Sequence, residues 1–171
     1  MKGCPRREKA DLNMLPKADF QPGSLMKKPK RLKRYVKAER DEKVQLILEA
    51  LTQKAKDGAL IMVEGVRDVE ALKRLGVEGK FFRVKAGKSL KETIGHLAQS
   101  PPKEIVVLTD FDRSGIRLAR TIVKLLEVQG IHPNLDFWLK LKGLVGREIK
   151  DVEGLVGYLE NVKRKLFYVI S

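Results

Sequence analysis

The chain has 171 residues, of which 43% are hydrophobic and 34% are charged, a composition that fits a folded globular protein and excludes a disordered one. Its single cysteine, Cys4, excludes an internal disulfide and a cysteine zinc cluster. The apolar runs are too short to cross a bilayer, and the N-terminus lacks the apolar core of a signal peptide. No membrane association and a cytoplasmic location are therefore expected.

Basic side chains outnumber acidic ones by 36 to 22, which gives a net charge of +14. The excess is concentrated near the N-terminus, where residues 1–43 carry 14 basic and 6 acidic side chains. A strong basic bias favours a polyanionic partner, of which nucleic acid is the commonest. A surface rich in lysine and glutamate also stabilises thermophilic proteins, so charge alone leaves that alternative open.

The segment 1–38 contains four prolines and shows neither a helical nor a strand period, which predicts a basic flexible arm. No acidic residue interrupts the basic run between positions 27 and 37. The candidate nucleic-acid-binding residues of this arm are Lys27, Lys28, Lys30, Arg31, Lys33 and Arg34. Two alternatives are a solvated tail without a partner and a translation start at Met26.

From residue 39 onward, helical and strand patterns alternate. The spacing of apolar residues predicts helices at 39–57, 68–75, 90–98, 114–129 and 152–165, and strands at 59–63, 80–84, 104–109 and 135–139. Such alternation is typical of an α/β fold in which helices cover both faces of a parallel sheet.

Two of the predicted strands end in acidic residues that are closely followed by glycine. Glu64 follows the first strand, and Asp110 and Asp112 follow the third. Because a parallel sheet places its chemistry at the carboxyl ends of its strands, these three carboxylates are expected to converge. Close carboxylates repel one another unless a cation holds them, and oxygen ligands suit a hard ion such as Mg²⁺.

Structural roles for the same acidic residues are open alternatives. Glu64 could pair with Arg67 or Arg83, since a carboxylate at a buried strand end needs a partner. Asp68 is placed to cap the helix that follows the first strand. Asp151, at the start of the last helix, is better explained as a cap than as a further metal ligand.

The spacing of Glu64-Gly65-x-x-Asp68 and of Thr109-Asp110-Phe111-Asp112-x-x-Gly115 resembles the Toprim domain. The resemblance covers about residues 58–142 and leaves 143–171 as a C-terminal helical segment. It is strongest to the small stand-alone, archaeal-type Toprim proteins and to the ribonuclease that matures 5S ribosomal RNA. It implies a Rossmann-like Toprim fold, with a four-stranded, mostly parallel sheet flanked by helices and a basic N-terminal extension.

The resemblance also implies roles for individual residues. Glu64 would be the general acid/base and a metal ligand, and Asp110 and Asp112 would bind magnesium, as one ion or as two, with manganese as a substitute. Further candidate phosphate-binding residues are Lys85, Arg113 and Arg117, for which solvated surface charge is an equal alternative.

Three functions follow from these patterns. The leading one is a magnesium-dependent enzyme that acts on phosphodiester bonds of nucleic acid, a nuclease or RNA-processing enzyme, with RNA favoured over DNA and with a protein partner for a chain this short. The second is a non-catalytic nucleic-acid or ribonucleoprotein module with a structural metal. The third is a small-molecule phosphatase with an aspartate nucleophile, which would resemble the haloacid dehalogenase group.

Overall fold

A computed structural model of the protein describes residues 30–85, 87 and 89–170, with side chains described within residues 34–165 apart from 86 and 88. Its helices are α1 (Lys30–Lys56), α2 (Val66–Arg74), α3 (Leu90–Gln99), α4 (Arg113–Val128), α5 (Asp136–Val145) and α6 (Gly154–Ile170). Its strands are β1 (Leu60–Val63), β2 (Lys80–Arg83) and β3 (Ile105–Val107). None of the helices in these ranges is long and apolar enough to span a membrane.

The three strands form one parallel sheet in the order β2-β1-β3. In its register, Leu60 of the central strand lies between Lys80 and Ile105. All four residues of β1 are buried, as expected for a central parallel strand covered on both faces. The predicted α/β architecture with a parallel sheet flanked by helices is confirmed.

Successive residues of β1 point to opposite faces of the sheet and separate the core into two clusters. Ile61 and Val63 pack in a cluster that includes residues of α1, α2, α5 and α6, whereas Met62 packs with residues of α3 and α4. Because helices cover both faces, the carboxyl edge of the sheet is left for functional groups.

The predicted fourth strand, residues 135–139, is wrong, because this segment lies mainly within helix α5. An apolar run of that length is compatible with either a strand or a buried helix segment. The deciding pattern extends past the run: Phe137, Leu141 and Val145 recur every four residues and are all buried in one cluster.

A single residue joins the sheet where a fourth strand was expected. Asn134 forms an isolated parallel bridge with Val106: its N–H donates to Ile105 O at 2.7 Å, and its carbonyl accepts from Val107 N at 3.0 Å. The part of the chain that the structure describes therefore has three strands, and the position beside β3 is held by one residue before α5 begins.

The beginning of α1 differs from the predicted boundary as well. The helix begins at Lys30 and not at residue 39, so residues 30–38, predicted to be irregular, are helical. Their charge pattern suggested an arm, but this segment lacks proline and consists mostly of residues with good helix propensity. Lys27 and Lys28 lie outside the described residues.

Trp138 anchors α5 to the end of β3. Its indole Nε1 donates to the buried carbonyl of Thr109 at 3.0 Å, one residue before Asp110. We expect Trp138→Phe to lower the free energy of unfolding by about 1–3 kcal/mol, since it leaves that carbonyl without its donor. Urea unfolding followed by circular dichroism measures the loss, because the chain has one tryptophan and the variant none. Leu139→Ala, at an exposed neighbour, should change stability by less than about 0.5 kcal/mol.

Candidate functional site

Glu64 is buried at the carboxyl ends of the strands, next to Asp110, and we call the place where these two residues meet the acidic edge. Glu64 follows β1 directly and its residue is only 5% exposed. Its Oε1 accepts a hydrogen bond from Asp110 N at 3.2 Å, and its Oε2 accepts one from Lys85 Nζ at 2.5 Å. The edge of the sheet thus joins the ends of β1 and β3 through this carboxylate, and the predicted proximity of Glu64 and Asp110 is seen.

The cation beside Glu64 is Lys85, which the sequence had suggested as a phosphate-binding residue. Lys85 N also donates to Glu64 O at 2.9 Å, so the parallel pairing continues past the end of β2 and holds the lysine opposite the carboxylate. The hydrogen bond to Glu64 raises the pKa of Lys85. The lysine side chain is 63% exposed, whereas that of Glu64 is 6% exposed, so the ammonium lies on the solvent side of the pair.

Asp110 is half-buried beside Glu64. Its Oδ1 accepts one hydrogen bond, from Val152 N at 3.2 Å. Burial raises the pKa of Asp110 from 3.8 to about 6; the Val152 N–H opposes the shift, and the nearby negative charges of Glu64, Asp68 and Asp151 add to it. The edge therefore carries more negative charge than its own residues neutralise.

Removing this charge should stabilise the metal-free protein. A shift of this size is equivalent to about 3 kcal/mol, and solvent screening at a partly exposed site reduces the expected gain for Asp110→Asn to about 1 kcal/mol at pH 7.5. Because the pKa is raised on folding, the favourable contribution of Asp110 is present below pH 3.8 and is lost as the pH rises through about 6. Urea unfolding in chelator should show an advantage for the variant that shrinks towards pH 4.

A matched aspartate distinguishes this effect from a general loss of charge. Asp136 is exposed in the first turn of α5, where a negative charge interacts favourably with the helix dipole. Asp136→Asn should therefore lower the free energy of unfolding by a few tenths of a kcal/mol. A loss of stability in Asp110→Asn at pH 7.5 would contradict the account of the acidic edge.

Asp112, the third predicted ligand, is exposed and caps α4. Its Oδ1 accepts from Gly115 N at 2.7 Å. Gly115 in turn lies against the backbone of Asp110: an added Cβ would be 2.1 Å from Asp110 O. The glycine of the second motif is therefore required by close backbone packing, and Asp112 is oriented towards its own helix while Glu64 and Asp110 meet.

Asp68 caps helix α2, which is the structural role that its position in the sequence predicted. Its Oδ2 accepts from Gly65 N at 2.8 Å at the start of α2. Burial raises its pKa, opposed by the Gly65 N–H and increased by the charge of Glu64. Asp151 likewise accepts from Gly154 N at 2.7 Å, at the start of α6. Both aspartates contribute negative charge near the edge from structural positions.

The turn before α6 contacts the site through Lys150 and Val152, whereas the sequence had pointed in this turn only to Asp151, as a cap or as a further ligand. Phe111, the residue after Asp110, donates its N–H to Lys150 O at 2.8 Å. Two residues after Lys150, the N–H of Val152 donates to Asp110 Oδ1. The first contact joins two backbone groups, and the second joins a backbone N–H to the Asp110 carboxylate, so no residue type after position 143 specifies either one. Two residues from the segment after residue 143, Lys150 and Val152, thus contact the acidic edge.

An ion pair holds this turn against α1. Arg40 Nη1 donates to Glu148 Oε1 at 2.6 Å, and its guanidinium lies 5.8 Å from the centre of the Tyr158 ring. The Tyr158 hydroxyl donates to Asp41, and burial together with this contact raises the pKa of Tyr158 to about 12. Residues from α1, the turn and α6 therefore form one polar network behind the acidic edge.

The other predicted cations whose side chains the structure describes form no ion pair or hydrogen bond with Glu64 or Asp110. Arg113 and Arg117 are exposed on the first two turns of α4. Arg34 is exposed on α1, and Lys30, Arg31 and Lys33 belong to the same helix. The arm residues from Lys30 onward and the α4 arginines are thus on different helices.

The donor set at the edge has the chemistry that a hard divalent cation requires, with carboxylate oxygens of Glu64 and Asp110 and unneutralised negative charge. Lys85 supplies a positive charge at that place. Within the described residues, no three Asp, Glu, His or Cys side chains are arranged to hold an ion. The residues therefore fit a cation in chemistry, and binding would exchange the Lys85 contact for metal ligation.

Comparison with known proteins identifies the fold and its relatives. The family model of the Toprim domain matches residues 59–137. The chain is 38% identical over 130 residues to a UPF0292 protein of Methanosarcina barkeri, covering 74% of this chain and 87% of the relative. It is 36% identical over 126 residues to a UPF0292 protein of Methanocaldococcus jannaschii, covering 74% and 94%.

A solved structure, described as a putative protein from Aquifex aeolicus, has a similar fold with a TM-score of 0.54. At 23% identity it covers 63% of this chain and 94% of that one. The Toprim match spans β1 to the start of α5, which includes Glu64, Asp110 and Lys85. The turn at 148–152 that contacts Asp110 lies beyond the matched range.

Proposed function

This chain belongs to the UPF0292 family and contains a Toprim domain, and from that premise we propose that it is a magnesium-dependent enzyme that acts on phosphodiester bonds of nucleic acid. The observation that carries the proposal is the contact between Glu64 and Asp110 at the carboxyl edge of a parallel sheet. This is where open α/β sheets bind ligands. A nuclease or RNA-processing activity is the reaction class we favour.

The residues of the edge divide the work. Glu64 accepts or returns the proton of the attacking or leaving oxygen, while Glu64 and Asp110 hold the cation, with Asp112 as the third ligand if its cap is exchanged. Bound Mg²⁺, or Mn²⁺ in its place, supplies a Lewis acid that stabilises charge developing on the phosphate oxygens. Lys85, with most of its side chain in solvent, moves from Glu64 to a substrate phosphate.

The substrate class rests on charge and on resemblance. A net charge of +14 favours a nucleic-acid partner. RNA is favoured over DNA because of the likeness of the Glu64 motif to the 5S ribosomal RNA maturase. A protein partner is proposed as well, because the chain offers a single small domain for substrate recognition.

The direct experiment is a panel of end-labelled structured RNAs, single strands and duplex DNAs incubated with the full chain. Cleavage is expected in Mg²⁺ or Mn²⁺ and not in chelator, with RNA preferred. Cleavage that persists in chelator, or a complete lack of cleavage of every substrate in both metals, would count against the proposal. Preparations of the Glu64→Gln variant exclude contaminating nucleases.

A second candidate function is a non-catalytic nucleic-acid or ribonucleoprotein module. The observation in its favour is that Glu64 already has a cationic partner in Lys85, and that no three-ligand cluster is formed in the described part of the chain. In that case the chain binds nucleic acid with strong salt dependence and cleaves nothing. Binding that is equal in wild type and in Glu64→Gln, together with no turnover, would favour this candidate.

A further inference from the structure

Helix α4 carries a line of positive charge that begins at the acidic edge. Its basic residues are all exposed and are spaced by four, three and four positions, which places them along one side of the helix. These residues, the α4 stripe, are Arg113, Arg117, Arg120 and Lys124. The opposite side of α4, with Ala119, Ile122 and Leu126, is buried against the sheet.

The α4 stripe has few acidic neighbours on its own helix. From Arg113 to Leu126 the helix contains no Asp or Glu, and its one acidic residue, the exposed Glu127, follows Lys124 by three positions. The ion pairs formed by side chains of the described residues involve other cations. Elsewhere helix cations do have acidic partners, as in Lys43 with Glu39 on α1 and Arg74 of α2 with Glu160 of α6.

This charge pattern is unfavourable for the isolated helix. Like charges four positions apart repel. Arg113 places a positive charge at the helix N-terminus, which favours negative charge, and the last turn has no basic residue to balance the C-terminus. A stripe that destabilises its own helix is explained if a polyanion neutralises it.

The position of α4 beside the acidic edge indicates which kind of polyanion would bind the stripe. The Asp112 cap and the packing of Gly115 on Asp110 join the first turn of α4 to the acidic edge. From Arg113 to Lys124 the stripe extends for about 16 Å, at 1.5 Å per residue, which is the length of several phosphates of one strand at about 3.4 Å each. The stripe is thus long enough to contact several successive phosphates of a nucleic-acid strand that extends from the acidic edge.

We propose that the α4 stripe binds the phosphate backbone of a nucleic-acid strand adjacent to the bond held at the acidic edge. The inference rests on the proposed function and adds Arg120 and Lys124 to the substrate surface. Phosphate contacts of this kind position a strand without reading its sequence. The stripe should therefore contribute affinity that depends on salt and little on sequence.

The test is a comparison of two triple variants with the same loss of charge. One is Arg117→Ala/Arg120→Ala/Lys124→Ala. The control is Lys73→Ala/Lys140→Ala/Lys163→Ala, which removes exposed lysines from α2, α5 and α6 in the opposite helical layer. Both are made in the full chain, and binding to a fluorescein-labelled 20-nucleotide RNA and to the matching DNA strand is followed by anisotropy in chelator.

We expect the stripe variant to bind at least about tenfold more weakly at 0.1 M salt. The slope of log affinity against log salt should become less steep by about 2, because three contacts to a single strand are lost. The control should bind within about threefold of wild type. The stripe variant should melt at the same temperature as wild type or higher, because the repulsion is relieved.

Equal weakening by both triples, an unchanged affinity in the stripe variant, or no binding by the wild type would overturn the inference. Because binding is measured in chelator, its outcome is separate from that of cleavage. Stripe-dependent binding without any cleavage would contradict the proposed enzymatic activity and support the role of the stripe in binding. Cleavage with the same KM in the stripe variant as in wild type would contradict the role of the stripe in binding and support the proposed enzymatic activity.

Discussion

Glu64→Gln is expected to lower metal-dependent cleavage by at least about 100-fold, within the range that general acid–base groups contribute. Glutamine has the size of glutamate and can still accept from Asp110 N at Oε1, so the contact between β1 and β3 is kept. It cannot take up a proton at neutral pH, and it removes the negative charge that holds Lys85 and that is proposed to hold the cation. Single-turnover cleavage of the preferred substrate measures the effect.

The matched control is Glu78→Gln, an exposed glutamate two residues before β2 and therefore at the opposite, amino end of the sheet. It should cleave at the wild-type rate. Asp110→Asn should lose cleavage as Glu64→Gln does, although it gains stability. Wild-type cleavage rates in both Glu64→Gln and Asp110→Asn, after contaminating nucleases are excluded, would contradict a role for the acidic edge in the reaction.

Among the glycines that the structure describes, Gly115 is expected to be the most destabilising to replace with alanine, at about 3 kcal/mol, the upper end of the cost of overpacking. The added Cβ would be 2.1 Å from Asp110 O, 2.6 Å from Asp110 C and 2.8 Å from Asp110 Cα. All three are backbone atoms, so no side-chain rotation relieves the overlap. The strand end or the start of α4 must move, and Asp110 moves with it. Thermal and urea unfolding followed by circular dichroism measure the cost.

Gly95 provides the matched substitution. It lies inside α3, and a Cβ there would have no heavy atom within 4 Å. Gly95→Ala should stabilise the protein by about 0.5–1 kcal/mol, because alanine is the better helix residue. If Gly115→Ala were as stable as wild type, the close packing of α4 on Asp110 would be wrong, and with it the structural explanation of the second glycine motif.

The sequence predicts this fold well where local patterns and the sheet agree. The buried runs of β1 and β3, the glycines after helices and the acidic strand ends are each strong local signals, and they led to the parallel sheet and to the contact of Glu64 with Asp110. The segment at 135–139 was misassigned because its helical period becomes visible only when Leu141 and Val145 are included.

The contacts that could not be predicted are those made by the backbone or between distant segments. Val152 N reaches Asp110 from 42 residues away, and Arg40 reaches Glu148 from 108 residues away. Neither leaves a motif, because an N–H is common to almost every residue and surface ion pairs have no fixed spacing. The pairing of Glu64 with Lys85, and not with Arg67 or Arg83, was likewise decided by the register of β2.

Metal binding by the isolated protein tests the central claim most directly, namely that Glu64 and Asp110 form the core of a divalent-cation site. Isothermal titration of Mn²⁺ into wild type, Glu64→Gln, Glu78→Gln and Lys85→Met, followed by competition with Mg²⁺, measures it. Wild type and Glu78→Gln should bind alike, Glu64→Gln should bind at least about tenfold more weakly, equivalent to about 1.4 kcal/mol, and Lys85→Met should bind more tightly because no ammonium competes for the carboxylate. An affinity in Glu64→Gln equal to that of wild type, or no binding by any of the four proteins, would contradict the claim.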